Sequence, residues 1–564
     1  MMNSVGEQIG GVKLNYSYYS GKDIYSDGII EDTILDACIN EKQEELLKNS
    51  HDWAVLYHLS SIRENIIEWY PISKEEKVLE IGSGCGAITG ALSKKAEKVI
   101  CVDLSRKRSL INAYRHKDAK NIEIIVGNFQ DIEPNLEKYD VITLIGVWEY
   151  SELYLDSKEP FDEMLQLAKK HLTENGRIII AIENKMGLKY WNGAQEDHTG
   201  KQYSGLNDYI DDKNRHVRTF SKPEIEKMLT KNGLAKYQFY YPLPDYKLPD
   251  CIYSDEYLPQ VGEIRLFGKN YMLPRLYNFN DAIVGDQICS DGMFPYLSNS
   301  YLIVCDNYEK NPIQFVKYNR ERCEEYRIKT IINFDEQKNK TVIKQSLNSK
   351  ADRHIFNLGK NSLSWSYQYK SIECVGGEIV NNKFISPFAD GVSIDKWMYQ
   401  FKNSPLKFVA ELKKIIEKFL MPDERYLSEK GVTPDFTKVF GDIPLGTFTS
   451  LNVTNIDLIA SNLKIINDTT MIAFDSEWVF NFPIPYRYVT WRLCRDIYDQ
   501  YKAYLKNTYC KNDFIKEMGL SDADNEIFSY MEGSFNSYVM GYAGKERYRQ
   551  NYRKTEMMQN IVYY

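Results

Sequence analysis

Between Val78 and about Gln238 short apolar runs alternate with helix-like stretches, and this alternation constrains the fold more than any other feature of the chain. The runs are KVLEIG, KVICVD, IEIIVG, YDVITLIG and RIIIAIE, and segments such as AITGALSKKA and FDEMLQLAKKHL lie between them. Strands that are apolar along their length are covered on both faces, and strands separated by helices run parallel. The expectation is an α/β domain with a doubly wound, mostly parallel sheet. The stretch from about Asp52 to Trp69 has apolar residues at helical spacing and is expected to cap a sheet edge or the mouth of a pocket.

A chain of 564 residues exceeds what one hydrophobic core supports. The pattern divides it into a first domain over 1–240 with an N-terminal helical cap, and a packed connector over 241–295, rich in Pro, Tyr, Gly and Asp. An α+β domain over 296–564 follows, strand-rich over about 296–390 and helical over about 391–564. With 43% hydrophobic and 27% charged residues the composition is that of a folded protein. A formal net charge of -8 argues against a broad nucleic-acid footprint, which needs a clustered positive face. No apolar run has the roughly 18 residues of a membrane span, and the first residues lack the charged-then-apolar pattern of an export signal. The expected location is cytoplasmic, with at most peripheral association at the inner face of the membrane. The ten Cys include no CxxC pair and no Cys/His cluster at zinc spacing, which suits reduced, buried thiols.

In VLEIGSGCGAITGAL the first strand runs through Glu80 into Gly82-Ser83-Gly84-Cys85-Gly86 and then into a helix. Glycines there permit a tight turn and let a ligand approach the backbone at a helix N-terminus. Gly82-x-Gly84-x-x-Ala87 also satisfies the dinucleotide-binding form, so the decision needs further residues. Asp103 ends the second strand, 21 positions after Gly82, where a carboxylate can accept from both hydroxyls of a ribose. Asn128-Phe129 follow the third strand, where an amide and a ring can read and cover an adenine. Near the acceptor side stand Glu149, after the fourth strand, and the polar loop NGAQEDHTGKQYSG with Asp197, His198 and Tyr203, after the fifth. Glu149 and His198 are the candidates to take a proton; the alternative for Asp197 and His198 is that they bond the loop to itself. Arg215, His216 and Arg218 in NRHVRTF read either as a wall that binds an anion or as a solvated approach to a helix.

Together E-x-G-x-G-x-G, Asp103, VGNF and GVWEY resemble the class I S-adenosylmethionine-dependent methyltransferases over about residues 50 to 240. The resemblance implies S-adenosylmethionine as cofactor. Gly82, Gly84 and Gly86 would line its methionine end, Asp103 would hold the ribose and Asn128 with Phe129 would frame the adenine, with Glu80, Ser83, Cys85, Leu104 and Trp148 also counted among the cofactor-binding residues. The family often has Asp where Asn128 stands, and an amide oxygen can still accept the adenine amino proton. WAVLYHLSSIRENIIEW and YYPLPDYKLP, taken with GCGAITGAL, resemble bacterial methyltransferases of cell-surface polysaccharide synthesis. That likeness implies a glycan or glycan-phosphate acceptor and glycosyltransferases as partners.

A second pattern lies in IDLIASNLKIINDTTMIAFDSEW. Asp457, Asn462 five residues on, two apolar runs around NDTT, and Asp475 after the second run have the spacing of a kinase catalytic loop and its metal-binding hairpin. With KTVIKQSL and ISPFADGVSIDKWM this resembles the aminoglycoside-phosphotransferase and protein-kinase-like fold, which has two lobes. By that likeness Asp457 orients a hydroxyl, Asn462 and Asp475 hold Mg2+, and Lys344 meets the phosphates of ATP. Three departures stand against it. No glycine occurs between Gly292 and Gly359, Asp352 is the only acid between Lys344 and Glu373, and Asn455 stands where many kinases keep His. The expected function is O-methylation of a cell-surface glycan, a glycan precursor or its terminal phosphate. The alternatives are a bifunctional kinase-methyltransferase, as in the enzymes that cap bacterial O-antigen chains, and a methyltransferase carrying a non-catalytic pseudokinase module.

Overall fold

The computed structural model describes residues 6–210, 216–264, 275–306, 311–541 and 556–558. Arg215 and most of the basic tail from Gly544 lie outside them. Two compact units emerge: Met1–Leu258 with Leu266–Val316 and Tyr548–Tyr564, and Pro259–Arg265 with Lys317–Arg547.

The first unit is built on strands β1 (Gly6–Ile9), β2 (Val12–Tyr18), β3 (Lys77–Ile81), β4 (Lys98–Asp103) and β5 (Ile122–Gly127), followed by β6 (Tyr139–Ile145), β7 (Leu172–Glu183), β8 (Tyr237–Leu243), β9 (Cys251–Ser254) and β10 (Ser300–Asp306). They lie in the order β1-β2-β5-β4-β3-β6-β7-β10-β8-β9. Pairing is parallel from β2 through β7. The mostly parallel sheet read from the sequence is present, and its order reverses between β3 and β6, where a ligand crevice opens in such sheets. Helices cover it because the intervening segments carry an apolar stripe; Pro160–Lys170 buries Met164, Leu165 and Ala168.

Two features depart from the sequence expectation. The N-terminus is not helical throughout: β1 and β2 form a hairpin, and Val12 and Leu14 bury while Lys13 faces out, a period too short to stand out by itself. The boundary at 295/296 is also displaced. β8 and β9, expected in part as connector, pair antiparallel, and β10 inserts antiparallel between β7 and β8, with Ser300 opposite Glu183. Tyr301 to Cys305 are all buried, as an interior strand requires. Local pattern marks such a segment as a strand, and only long-range pairing decides which sheet it joins. The tail, helical in appearance from its sequence, contributes Glu556–Met558 as a strand beside Arg275–Tyr277.

In the second unit β11 (Ile328–Phe334), β12 (Lys340–Ser346), β14 (Glu378–Val380) and β15 (Lys383–Pro387) pair antiparallel in the order β11-β12-β15-β14. β13 (Ile372–Cys374) lies apart from them. The helix Asp352–Asn361 packs Ile355 and Leu358 against Ile328 and Phe384. The remainder is mostly helical around one core that includes Phe408, Leu412, Phe436, Trp491 and Phe528. A hairpin of β16 (Leu463–Ile465) and β17 (Met471–Ala473) packs Leu463, Met471 and Ala473 into this core. None of the ten cysteines forms a disulfide, and most are buried. Among the described residues no helix is long and apolar enough to cross a membrane.

Candidate active site

A cavity of about 400 Å3 opens at the carboxyl ends of β3, β4, β5 and β6. β3 ends in Glu80-Ile81, and the chain turns through Gly82 and Gly84 at φ +70° and +52°, a region side chains other than glycine rarely adopt. A Cβ on Gly82 would lie 2.4 Å from a Val147 methyl, whereas one on Gly84 meets nothing within 4 Å. Gly84 thus borders open space, where a ligand can approach the backbone. Its amide donates to Asp103 Oδ2 at 2.7 Å, and Ser105 N donates to Oδ1 at 2.9 Å, so two backbone groups aim the Asp103 carboxylate. Burial pushes this carboxyl up. Glu80, buried beneath the turn, accepts from Thr89 Oγ1 at 2.6 Å, while its Oε1 has no hydrogen-bond partner; burial raises it to about 7.

Of the residues assigned to the cofactor from sequence, Glu80, Gly82, Ser83, Gly84, Cys85, Asp103, Leu104, Asn128 and Phe129 line this cavity. Asn128 also caps the helix Phe129–Ile132, accepting from Gln130 N at 3.1 Å and donating to the Tyr154 carbonyl at 3.0 Å. Two assignments do not hold. Gly86 is absent from the lining and backs onto Asn112, where a Cβ would stand 2.2 Å from the amide oxygen. Trp148 is fully buried away from the cavity, its indole N–H donating to Phe161 O and its ring against Phe220. The neighbours of Trp148, Val147, Glu149 and Tyr150, turn into the cavity instead. The segment before β3 covers the mouth with Trp53, Ala54, Tyr57 and His58.

Glu149 and His198 meet on the acceptor side, joined by Glu183, the last residue of β7. His198 Nδ1 lies 3.1 Å from the Tyr150 hydroxyl, and Nε2 lies 3.6 Å from Glu183 Oε2, longer than a hydrogen bond. Lys247 sits on Glu183 Oε1 and reaches Asp197 Oδ2 at 3.1 Å; Lys189 bridges Asp197 and Asp245 at 2.7 and 2.8 Å. Burial, then the charge of Glu183, raises Glu149 to about 8. Burial works against the charge of Glu183, but Lys247 and His198 more than offset it and hold that carboxyl well below the ordinary range. Burial likewise opposes the charge of His198, and Glu183 overrides it, raising the imidazole to about 9. Tyr203 does not line the cavity; its hydroxyl accepts from Asn278. His216 faces Glu152 at 3.7 Å and Arg218 faces Asp208 at 3.0 Å, so these two side chains are met by acids and do not form an anion-binding wall.

In the second unit Lys344, on β12, donates to Asp475 Oδ1 at 2.6 Å. Asn462 directly precedes β16 and Asp475 follows β17 by two residues; with Leu463 opposite Ala473 both stand at one end of the hairpin. The Asn462 amide donates to the Asp457 carbonyl at 3.1 Å. Asn455 ties the two segments together, donating to Asp475 O and accepting from Asp457 N. Burial, then Asp475, raises the Asp457 carboxyl to about 7.

Comparison with other proteins finds likenesses over part of the first unit. The model of a family described as "Methyltransferase domain" matches residues 56–238. The match covers about a third of this chain. The chain is 37% identical over 87 residues to ribosomal RNA small subunit methyltransferase A of Borrelia garinii subsp. bavariensis, covering 15% of this chain and 31% of that protein. It is 21% identical over 231 residues to the protein of the same name in Mycoplasma mycoides subsp. mycoides SC, covering 39% and 77%. The chain thus spans about a third of the length of the first of these relatives. Among solved structures it is similar to the YcgJ protein of Bacillus subtilis, at 17% identity and TM-score 0.26, over 44% of this chain and 99% of that one. It is also similar to a SAM dependent methyltransferase of Archaeoglobus fulgidus, at 14% identity and TM-score 0.28, over 45% and 100%.

Sequence reasoning missed several residues around the first unit's cavity. Glu183 closes RIIIAIE, and an acid at the carboxyl end of a buried parallel strand is a signal that can be read. Lys247, Tyr246 and Tyr150 also line the cavity. Lys247 sits in YYPLPDYKLP, where nothing local distinguishes it from a surface lysine. In the second unit Glu477, two residues past Asp475, was overlooked as a partner of Lys344; the two lie 3.7 Å apart.

Proposed function

We propose that the first unit transfers a methyl group from S-adenosylmethionine to an oxygen of a cell-surface glycan, a glycan precursor or its terminal phosphate. The observation that carries the transfer is one cavity lined by the Gly82–Gly84 turn, the doubly anchored Asp103 carboxylate, Asn128 and Phe129, and by Glu149 and His198 on the acceptor side. Displacement at a sulfonium is in line, so the protein's work is to align the acceptor oxygen with the methyl carbon and, for a hydroxyl, to receive its proton. In this reading Asp103 holds the ribose hydroxyls, the glycine turn accommodates the methionine end, and Glu149 with His198 face the acceptor. The glycan class rests on the sequence likeness of Trp53–Trp69 and Tyr240–Pro249 to polysaccharide methyltransferases, and on the net charge, which disfavours a nucleic-acid footprint. The test is incubation of the purified chain with methyl-labelled S-adenosylmethionine and a panel of surface polysaccharide, its lipid-linked precursors and small-subunit ribosomal RNA. Label in the glycan fractions is the expected result; label in the RNA alone, the substrate class named for the relatives, would overturn the glycan acceptor.

A second reading concerns the other unit and is favoured by the Lys344–Asp475 ion pair together with the bond from Asn462 to the Asp457 carbonyl. These link four residues that the kinase-like resemblance singled out, and support a kinase-like domain with Mg2+ and ATP as ligands. Saturable binding of Mg-ATP, lost in Asp475→Ala, is the expected result. Absence of binding in the unaltered chain would leave the domain as a non-catalytic module.

A further inference from the structure

The acceptor side of the cavity holds more unsatisfied polar atoms than a single hydroxyl can serve. Glu149 is fully buried and neither of its carboxylate oxygens has a hydrogen-bond partner. Glu183 Oε2 and His198 Nε2 are likewise buried and without one. One ligand atom from each of the three side chains lies within 4.8 Å of the others. Among the described residues no other group of three His, Cys, Asp or Glu side chains meets that condition. Burying a carboxylate without hydrogen bonds costs far more than burying a paired one, so an arrangement of this kind calls for a partner.

We propose that Glu149, Glu183 and His198 bind one divalent cation of the Mn2+ type, which fixes and polarises the acceptor oxygen. The other sides of the ligands are already held, as metal ligands require. Tyr150 orients His198 through Nδ1, which leaves Nε2 as the free donor, and Lys247 orients Glu183 through Oε1, which leaves Oε2. The charge balance agrees. Around the site the acids Glu149, Glu183, Asp197 and Asp245 outnumber Lys189 and Lys247, whose ammonium groups are engaged on Asp197, Asp245 and Glu183. With Glu149 deprotonated and His198 neutral, the forms in which they bind a metal, two negative charges remain among these groups, the number a divalent ion neutralises. Two carboxylates and one imidazole form a mixed oxygen and nitrogen set that suits Mn2+ better than an all-oxygen preference such as that of Mg2+. Glu149 and His198 border the cavity, so coordination positions left by the protein face the space where the acceptor would lie. A cation there would lower the proton affinity of a bound hydroxyl and direct its oxygen, with no bond to the ion formed or broken in the transfer itself. That role rests on the methyl-transfer reading; the binding site does not.

The test uses the full chain, stripped with EDTA and titrated with MnCl2 while free Mn2+ is followed by electron paramagnetic resonance. One saturable site per chain is expected, with a nitrogen coupling from His198 in the pulsed spectrum. Glu149→Gln and His198→Gln should each weaken binding at least about tenfold, since even residues that only orient metal ligands have effects of that size. Asp475→Asn should leave the nitrogen-coupled site intact, separating it from any ion held by the second unit. S-adenosylmethionine binding, measured on the same variants, should persist and so report an intact fold. A wild-type chain without a saturable site, a bound ion without nitrogen coupling, or unchanged affinity in Glu149→Gln would overturn the proposal. Failure of the wild-type chain to bind S-adenosylmethionine would count against the methyl-transfer reading instead.

Discussion

Each unit buries a cluster of acids beside strand ends, and the two clusters are satisfied in opposite ways. In the second unit every acid has a partner from the chain itself. Asp475 accepts from Lys344 and from Glu477 N; Glu477 is met by Arg322, by His354 at 2.9 Å and by Lys344; Asp457 accepts from Trp478 N at 3.1 Å and faces Arg492 at 3.7 Å. Although burial opposes its charge, Arg322, His354 and Lys344 hold the Glu477 carboxyl well below the ordinary range. In the first unit the Glu149 carboxylate has no hydrogen-bond partner, and Glu80 and Glu183 each keep one oxygen bare. The second unit meets its acids with cations of its own, whereas the first unit leaves carboxylate oxygens that a ligand could meet.

This contrast can be broken by substitution. The largest effect is expected in the second unit with Arg492→Met, which strips a buried partner from Glu532, 2.8 Å away, and from Asp457. Removing one side of a buried ion pair costs about 3–5 kcal/mol when the other charge is left alone, and Arg495, 2.8 Å from Glu532, offsets part of that, so a loss at the lower end, about 3 kcal/mol, is expected from chemical denaturation. In the first unit the opposite sign is expected from Glu80→Gln. Burial raises this carboxyl from an ordinary 4.5 to about 7, so the folded state holds its proton more tightly than the unfolded state. Stability therefore falls as pH climbs from 4.5 to 7, and the full penalty remains above that window. Without cofactor, Glu80→Gln should be nearly neutral near pH 4 and gain on the order of 3 kcal/mol at pH 8. A loss of stability at pH 8 would mean that the carboxylate is compensated within the fold. The smallest effect should come from Lys413→Ala, which breaks an exposed pair with Glu517. There the change should stay within about 0.5 kcal/mol and shrink further in salt, since water already screens the pair.

The fold of the first unit was legible because its strands are apolar along their length and its helices carry one apolar stripe. The glycine turn and Asp103 were legible because a fixed spacing places them at adjacent strand ends. β10 was assigned to the wrong domain, because YLIVC reads equally well as a strand of either sheet. Trp148 was misassigned for a different reason. Its neighbours on both sides line the cavity, and only the packed structure distinguishes which side chain of Val147-Trp148-Glu149 turns inward. The third member of the acidic cluster, Glu183, and its companion Lys247 come together from positions 64 apart, a distance over which no local pattern operates.

The claim on which the rest depends is that the cavity takes S-adenosylmethionine with its ribose on Asp103. Isothermal titration of the cofactor into the unaltered chain and into Asp103→Ala tests it most directly. The unaltered chain should bind one molecule. The variant should bind about 100-fold more weakly, since hydrogen bonds to a charged group contribute roughly 1.5–3 kcal/mol each. Equal affinity in the two proteins, or no binding to the unaltered chain, would contradict the account.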